Sequence, residues 1–154
     1  MPMPTVRAVM GFDPGISGGL AVLNAAGGLA FVRGFNRDMT ELQVEEILKF
    51  GVQVLQRERG WECFMEKVGF IKGDRGKGSF TFGGAYKFAR GYLRAKDVVI
   101  YDVPPLLWQA RMECLTGGDK NVSKRRAIEL FPGVKVTHAI GDALLIALYG
   151  RNLG

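Results

Sequence analysis

The chain has 154 residues, 47% of them hydrophobic, and its 21 Lys and Arg against 15 Asp and Glu give a formal net charge of +6. This length favours one domain over residues 1–154 with a real core, and the positive charge favours a polyanionic partner such as nucleic acid. No apolar run approaches the roughly 18 residues of a membrane span, residues 1–15 lack the layout of a signal peptide, and Cys63 and Cys114 form neither a disulfide framework nor a zinc-spaced pair. We therefore expect a reduced cytoplasmic protein.

The first part of the chain predicts three strands and a helix. Residues 6–12 form a short apolar run that ends at the turn Asp-Pro-Gly, and residues 20–24 and 29–35 are two more short strands separated by a hairpin turn. We expect these three strands to form an antiparallel meander. A helix follows, with Asp38 as its N-cap and Gly60 at its end, and its apolar residues recur at helical spacing at Leu42, Ile47, Leu48, Val52 and Leu55.

The second part of the chain predicts two strands among four helices and a loop. Residues 61–68 read as a fourth strand, which can lie parallel to the first because a helix connects them. Residues 69–79 are Gly-rich, basic and without periodicity, which predicts a mobile loop. The remaining elements are a helix at 80–96, a strand at 97–103, two short helices within 106–131 and a last helix from an N-cap at Thr137 to about Gly150.

Four polar side chains are predicted to meet at one edge of the sheet. Asp13 closes the first strand, Glu66 lies near the end of the fourth, and His138 and Asp142, four residues apart, share one face of the last helix. Parallel neighbouring strands end at the same edge, where open α/β proteins place their sites. Three carboxylates that close repel one another unless a cation is present. The sequence therefore predicts a Mg²⁺ or Mn²⁺ site suited to phosphodiester hydrolysis.

Each of these residues also has a simpler explanation when taken alone. Asp-Pro-Gly is a common turn, so Asp13 could be structural, Glu66 could be a solvated strand end, and His138 could be a surface residue at a helix start. Asp142 is harder to explain, because a carboxylate within the run IGDALLIAL is costly to bury unpaired. The four together favour a site more strongly than any one of them.

The order of several motifs resembles that of the RuvC-type Holliday junction resolvases, in particular their compact, phage-associated branch. The motifs are GFDPGISGGLAVLN, MEKVGF, SFTFGGAYKFARGYL, VPPLLW, DKNVSKRRAIELFP and GDALLIALYG. The resemblance spans nearly the whole chain and is weakest at residues 25–60. It implies an RNase H-like α/β fold, with a five-stranded mixed sheet in the order 3-2-1-4-5 flanked by helices. It also implies a homodimer that makes paired nicks across a four-way DNA junction. The expected setting is a bacterial cell or a phage-infected host.

The resemblance also implies roles for the four polar residues. Asp13 is similar to the family's first-strand Asp, Glu66 to the Glu after its fourth strand, and Asp142 to the Asp of its last helix. His138 matches a further metal-site position that holds Asp in many members and His in some. Imidazole suits Mn²⁺ better than Mg²⁺. A neutral His138 could therefore bind a metal weakly or take a proton from the attacking water.

Two basic groups are candidates for contact with DNA phosphates. The first lies on or beside the Gly-rich loop next to Glu66, and the second lies on the short helix before ELFP. The candidates are Lys67, Lys72, Arg75 and Lys77 in the first group and Lys120, Lys124 and Arg125 in the second, whereas Arg126 is expected to be merely solvated. Phe70 could wedge between unstacked bases at the branch point. The alternative for both groups is a solvated charge cluster.

The second predicted helix is a candidate dimer interface. Two matched cuts in a two-fold symmetric junction call for two sites related by a two-fold axis. Gly83 and Gly84 would allow close approach of two helices, and Phe82, Tyr86 and Phe88 would supply apolar area. Alternatively, some of these aromatic side chains pack on the sheet.

The sequence thus favours a divalent-metal-dependent crossover junction endodeoxyribonuclease with two ions per site, acting in recombination or repair and leaving 5′-phosphates. One alternative keeps the fold and changes the substrate to flaps or RNA. Another is a non-catalytic module that binds junctions, in which the histidine marks lost activity. A phosphotransferase of the actin-like superfamily is more remote, because the chain is short and lacks a second phosphate-binding turn.

Overall fold

The computed structural model describes residues 7–68 and 77–153, with the side chains of residues 77–80 left outside that description. In this part of the chain three strands come first, strands and helices then alternate, and three helices come last. The elements are β1 (Ala8–Asp13), β2 (Gly19–Leu23), β3 (Leu29–Gly34), α1 (Glu41–Gln56), β4 (Trp61–Glu66), α2 (Lys77–Ala95), β5 (Ile100–Val103), α3 (Pro105–Arg111), α4 (Lys120–Leu130) and α5 (His138–Arg151). None of the described helices is long and apolar enough to cross a membrane.

The five strands form one mixed sheet in the order β3-β2-β1-β4-β5. Strands β1, β2 and β3 pair antiparallel, as short hairpin connections require. Strand β4 lies parallel to β1 on the other side, since α1 carries the chain back before β4 begins. Strand β5 extends the parallel half of the sheet. The α/β fold, the antiparallel meander and the strand order predicted from the sequence are confirmed.

Each face of the sheet is covered by its own layer of helices. Alternation along β1 places Met10 and Phe12 in a core with α1 and α2, whereas Val9 points into a core with α3, α4 and α5. By the same alternation, Asp13 belongs to the α5 face. Cys63 and Cys114 are free and buried, one in each core.

Helix α5 lies unusually close to the sheet because small residues meet along its length. Ala139, Ala143 and Ala147 recur every four residues and so form one stripe. A Cβ atom added to Gly11 would lie 2.3 Å from the carbonyl oxygen of Ala143 and from the backbone nitrogen of Ala147, and one added to Gly19 would lie 2.2 Å from the carbonyl oxygen of Ala139. This close approach explains why α5 is nearly all apolar, and it fixes the height of the polar first turn of α5 above β1.

The boundaries of α1 differ from the prediction. The N-cap is Thr40 rather than Asp38, because Thr40 and Gln43 form a reciprocal capping box. The helix ends at Gln56, before the predicted Gly60. Leu42 was wrongly placed on the buried face: its side chain is 65% exposed, because the first turn of α1 extends beyond the sheet before the buried stripe begins.

The boundaries around α2 also differ. The sequence predicts a loop at residues 77–79, but these residues form the first turn of α2. The helix that follows extends into them despite the low helix propensity of glycine and serine. Strand β5 begins at Ile100 rather than at residue 97. Asp97 adopts a left-handed conformation with φ of 61°, and the amide of Val98 donates to the carbonyl of Leu93, so this segment closes α2 before the strand can start.

Candidate metal centre

The turn after β1 presents Asp13 at the edge of the sheet. Asp13 is the last residue of β1, and its backbone pairs with Gly19. Gly15 has a φ of +117°, which favours glycine, and a Cβ atom on Gly18 would lie 1.9 Å from the carbonyl oxygen of Asp13. The chain therefore reverses tightly enough to leave the Asp13 carboxylate facing the first turn of α5. Its side chain is buried.

Glu66 comes to the same edge through strand register. Phe12 lies opposite Met65 in the parallel pair of β1 and β4. Asp13 follows Phe12 and Glu66 follows Met65, so the two carboxylates leave neighbouring strands at the same level. The indole Nε1 of Trp108 donates a hydrogen bond to Oε2 of Glu66 at 2.9 Å. This hydrogen bond fixes the longest of the three acidic side chains at the end of β4.

Asp142 completes the cluster from the start of the second turn of α5. Ser123, from α4, is almost fully buried, and its hydrogen bond to Asp142 lowers the pKa of that carboxyl. The Ser123 hydroxyl also donates to the carbonyl oxygen of Lys120 at 3.2 Å, and its single proton can turn toward either acceptor. The helix that carries Asp142 is thereby tied to α4 at the site.

The three carboxylates come together as the sequence predicts. Asp13, Glu66 and Asp142 each offer a ligand oxygen, and these oxygens lie within 4.8 Å of one another. Burial is the largest cause of the raised pKa of each carboxyl group, and the negative charge of Asp142 raises the pKa of both Asp13 and Glu66 further. A cluster of repelling, partly desolvated oxygens suits a hard divalent cation, which would remove the repulsion. The donor set therefore fits Mg²⁺ or Mn²⁺.

His138 and Lys120 lie around this cluster without belonging to it. His138 is exposed, one helical turn before Asp142, and its positive form lowers the pKa of Asp142. Within the part of the chain that the structure describes, the ring nitrogens of His138 are not among the ligand atoms that lie within 4.8 Å of one another. Lys120, the first residue of α4, lowers the pKa of all three carboxyl groups. It is thus the cation at the cluster, a place that its sequence position did not indicate.

The predicted DNA-contacting residues are only partly visible. Lys67 is exposed directly after β4, and Arg125 is exposed on α4, whereas Lys124 is half-buried where α4 passes Gly141 of α5. Phe70, Lys72 and Arg75 lie outside the described residues, as does the side chain of Lys77. Arg126 is not merely solvated: it donates to the carbonyl oxygen of Met112 at 2.8 Å and to Glu129 and Glu113, which braces α4 against the loop before it.

The three predicted dimer residues have different surroundings. Phe82 packs over Gly15 and stacks with Tyr86 at a centroid distance of 6.4 Å. The Tyr86 hydroxyl accepts a hydrogen bond from Arg90 at 3.2 Å, so both aromatic residues have partners within the chain. Gly83 has open space where a Cβ atom would lie, and so has Gly84. The glycines of α2 thus leave room at its surface for another helix.

Sequence reasoning missed Trp108 and Ser123. Trp108 is completely buried, and a buried indole N–H needs an acceptor. The signal was present in the segment VPPLLW, an apolar helix start that contains one of the two tryptophans of the chain. The acceptor could not be identified, because it lies 42 residues earlier in the sequence. Ser123 offered no such signal among the lysines and arginines of α4.

Comparison with known proteins identifies the fold. No protein-family model matches the chain, and no curated protein does. Among solved structures, the RuvC protein of T. thermophilus in complex with a Holliday junction substrate is similar with a TM-score of 0.66 and 20% identity, over 96% of each chain. A second structure of Thermus thermophilus RuvC has a TM-score of 0.62 and 21% identity, over 93% of this chain and 92% of that one.

A viral protein gives a weaker match. The fowlpox virus Holliday junction resolvase has a TM-score of 0.52 and 10% identity, over 96% of this chain and 100% of that one. These likenesses extend over nearly the whole of each chain. The protein therefore shares the fold of these solved structures, a five-stranded mixed sheet flanked by helices, as the resemblance of its motifs predicts.

Proposed function

We propose that this protein is a divalent-metal-dependent endonuclease that resolves four-way DNA junctions. The observation that carries the proposal is the cluster of Asp13, Glu66 and Asp142, whose ligand oxygens lie within 4.8 Å of one another. Two further observations support it: the solved structures of the same fold include a RuvC protein with a junction substrate, and the net charge of +6 suits a polyanion.

The three carboxylates would hold a divalent cation at the edge of the sheet. When bound, one or two Mg²⁺ or Mn²⁺ ions would polarise the scissile phosphate and lower the pKa of an attacking water. Asp13, at the end of the central strand, would be the shared member of this set, because the charges of both Asp142 and Glu66 act on it. Burial of these groups excludes bulk water from around the reacting phosphate.

His138 and Lys120 act at the rim of the cluster. His138 accepts the proton of the attacking water at a ring nitrogen, a role that suits an exposed imidazole next to the carboxylates better than that of a fourth ligand. Lys120 contacts the scissile phosphate, since its ammonium group is the positive charge that all three carboxyl groups experience. The departing oxygen is the 3′ oxygen, which leaves a 5′-phosphate at each nick.

DNA binding and dimerisation belong to the same proposal. Lys67, Lys124 and Arg125 contact backbone phosphates beside the site, as do Lys72, Arg75 and Lys77. Phe70 wedges between unstacked bases at the branch point. A homodimer formed through α2, where Gly83 and Gly84 leave open space, would provide two sites for paired nicks. The whole chain acts as one domain in this arrangement.

The test is a cleavage assay on four synthetic substrates: a four-way junction, a flap, a linear duplex and an RNA–DNA hybrid. Each is incubated with Mg²⁺, with Mn²⁺ and with EDTA. We expect paired, metal-dependent nicks in the junction and little cleavage of the duplex. Cleavage of the flap or the hybrid in preference to the junction would assign a different nuclease activity, and junction binding without nicking in either metal would indicate a non-catalytic module.

A further inference from the structure

Trp108 is joined to the carboxylate cluster but lies outside it. The side chain of Trp108 has no exposed surface, and its Nε1–H donates to Oε2 of Glu66 at 2.9 Å. An indole can only donate a hydrogen bond, and a buried one usually finds an acceptor nearby. Here the acceptor is one of the three clustered carboxylates rather than a backbone carbonyl, so the contact constrains the orientation of a ligand group.

Glu66 needs such a constraint more than its neighbours do. Asp13 and Asp142 have short side chains on elements that pack closely together. Glu66 has one more rotatable bond and follows the last ladder pair of β1 with β4. Fixing a glutamate side chain in one orientation costs conformational entropy. Because the indole already holds Oε2, less entropy is lost from the Glu66 side chain when a metal binds. Oε1 is the oxygen left to bind the cation.

The position of Trp108 is itself set by the strand that carries Glu66. Glu66 pairs with Val103 of β5, and the amide of Lys67 donates to the carbonyl oxygen of Val103 at 2.7 Å. Helix α3 starts two residues after Val103, with Pro104 as N-cap and Pro105 in its first turn, both of which restrict the backbone. Trp108 follows within the same turn. The donor and acceptor are therefore held on one continuous piece of hydrogen-bonded backbone.

We propose that Trp108 is a positioning residue of the metal centre: its indole N–H holds Glu66 in the orientation that binds a divalent cation. This proposal rests on the metal site of the proposed function. Outer hydrogen-bond partners of this kind typically change metal affinity by about 10-fold to 100-fold. Trp108 itself contacts neither the cation nor DNA in this role.

The first arm of the test is calorimetric titration of the full-length protein with Mn²⁺ alone. Trp108→Phe keeps a buried aromatic ring and removes the donor, and we expect Mn²⁺ binding about 10-fold to 100-fold weaker. The matched control is Trp61→Phe, the same change at the opposite end of β4, where the partly buried ring packs against the other core. Its Mn²⁺ affinity should equal that of the wild-type protein. Wild-type affinity in Trp108→Phe overturns the proposal.

The second arm needs no change at Trp108. The chain has two tryptophans, so Trp61→Phe leaves Trp108 as the only indole fluorophore. Mn²⁺ should change its emission over the concentrations at which binding is measured, and the added change Glu66→Gln should abolish this response. An unaltered emission at saturating Mn²⁺ overturns the proposal. This arm therefore tests the proposal even if Trp108→Phe does not fold. If both arms succeed but no junction is nicked, the nuclease function is wrong and the positioning role stands.

Discussion

Asp13 is costly to bury, and the proposed chemistry depends on it. Asp13 is buried at the end of β1 beside two other carboxylates, and among the described residues Lys120 is the one that lowers its pKa. A buried charge without a close partner costs stability. Such a loss of stability is tolerated where function requires it. Bound cations would offset it, because they bind only the folded state.

Replacing Asp13 by Asn should therefore separate stability from activity. Asp13→Asn removes the negative charge at nearly constant volume, so we expect metal-free protein to become more stable by about 1–3 kcal/mol, measured by urea unfolding. Mn²⁺ binding and junction nicking should both fall to background, with junction binding retained. Asp38→Asn, an exposed change on the loop before α1, is the control and should alter none of these. Normal nicking by Asp13→Asn would refute the site assignment.

The raised pKa values predict how stability depends on pH without metal. The carboxyl groups of Asp13, Glu66 and Asp142 titrate at higher pH in the folded protein than their ordinary values of 3.8, 4.5 and 3.8. At a pH between the ordinary and the raised pKa values, the folded state binds more protons than the unfolded state. The free energy of unfolding therefore falls as pH rises through this range. Thermal melts in EDTA should give a higher Tm near pH 5 than at pH 7, and saturating Mn²⁺ should remove the difference. A Tm that rises steadily from pH 5 to 7 in EDTA would contradict this.

Residue-level reasoning predicted that the three carboxylates converge, because each lies at a strand end or within an apolar helix, where a carboxylate is unusual. It did not find Lys120 as the cation of the cluster. Lys120 belongs to a run with Lys124, Arg125 and Arg126, and nothing in the sequence distinguishes a lysine that faces the cluster from one on the solvated side. That distinction arises from how α4 packs on α5, with Gly141 against the α4 backbone.

At the scale of elements, the site depends on how closely α5 approaches β1. Asp142 precedes Ala143, whose carbonyl oxygen would be 2.3 Å from a Cβ atom on Gly11. The order of the elements and their pairing could be predicted, since hydrophobic runs and turn residues determine them locally. The glycine–alanine packing could not, because the glycines of β1 and β2 resemble ordinary turn or strand residues until the helix is placed against them.

Gly11→Ala tests this packing. The added methyl group would meet the backbone of α5, which cannot rotate away as a side chain could, so we expect a loss of about 3 kcal/mol or more in the free energy of unfolding. We also expect weaker Mn²⁺ binding, because Asp142 moves with the helix. Gly133→Ala, where no atom lies within 4 Å of the added Cβ, is the matched control and should change stability by less than about 0.5 kcal/mol. Equal stability of the two variants would show that α5 is not held this closely.

At the scale of the whole molecule, resolution of a junction requires two-fold symmetry. Paired nicks need two sites, and α2 offers the open positions Gly83 and Gly84. The sequence predicted this helix as an interface from its glycines and aromatics. It could not show that Phe82 and Tyr86 already pack within the chain, because their partners Gly15 and Arg90 come from the β1–β2 turn and the next turn of α2.

Gly83→Glu should disrupt the dimer without disturbing the fold. The new side chain extends into open space on one protomer, but a charge on a two-fold interface meets its own copy. Sedimentation velocity should show a dimer for the wild-type protein and for Gly133→Glu, and a monomer that remains folded for Gly83→Glu. Single nicks in place of paired nicks should accompany the monomer. A dimer that persists in Gly83→Glu would place the interface elsewhere.

The central claim is that Asp13, Glu66 and Asp142, from two strands and a helix, jointly bind divalent cations. The most direct measurement is the anomalous difference map of a crystal soaked in Mn²⁺. We predict at least one strong peak that lies about 2.2 Å from an oxygen of each of the three side chains. A second peak, if present, should also contact Asp13. A map with no peak at this edge of the sheet, or with a peak that Asp13 does not contact, would contradict the account.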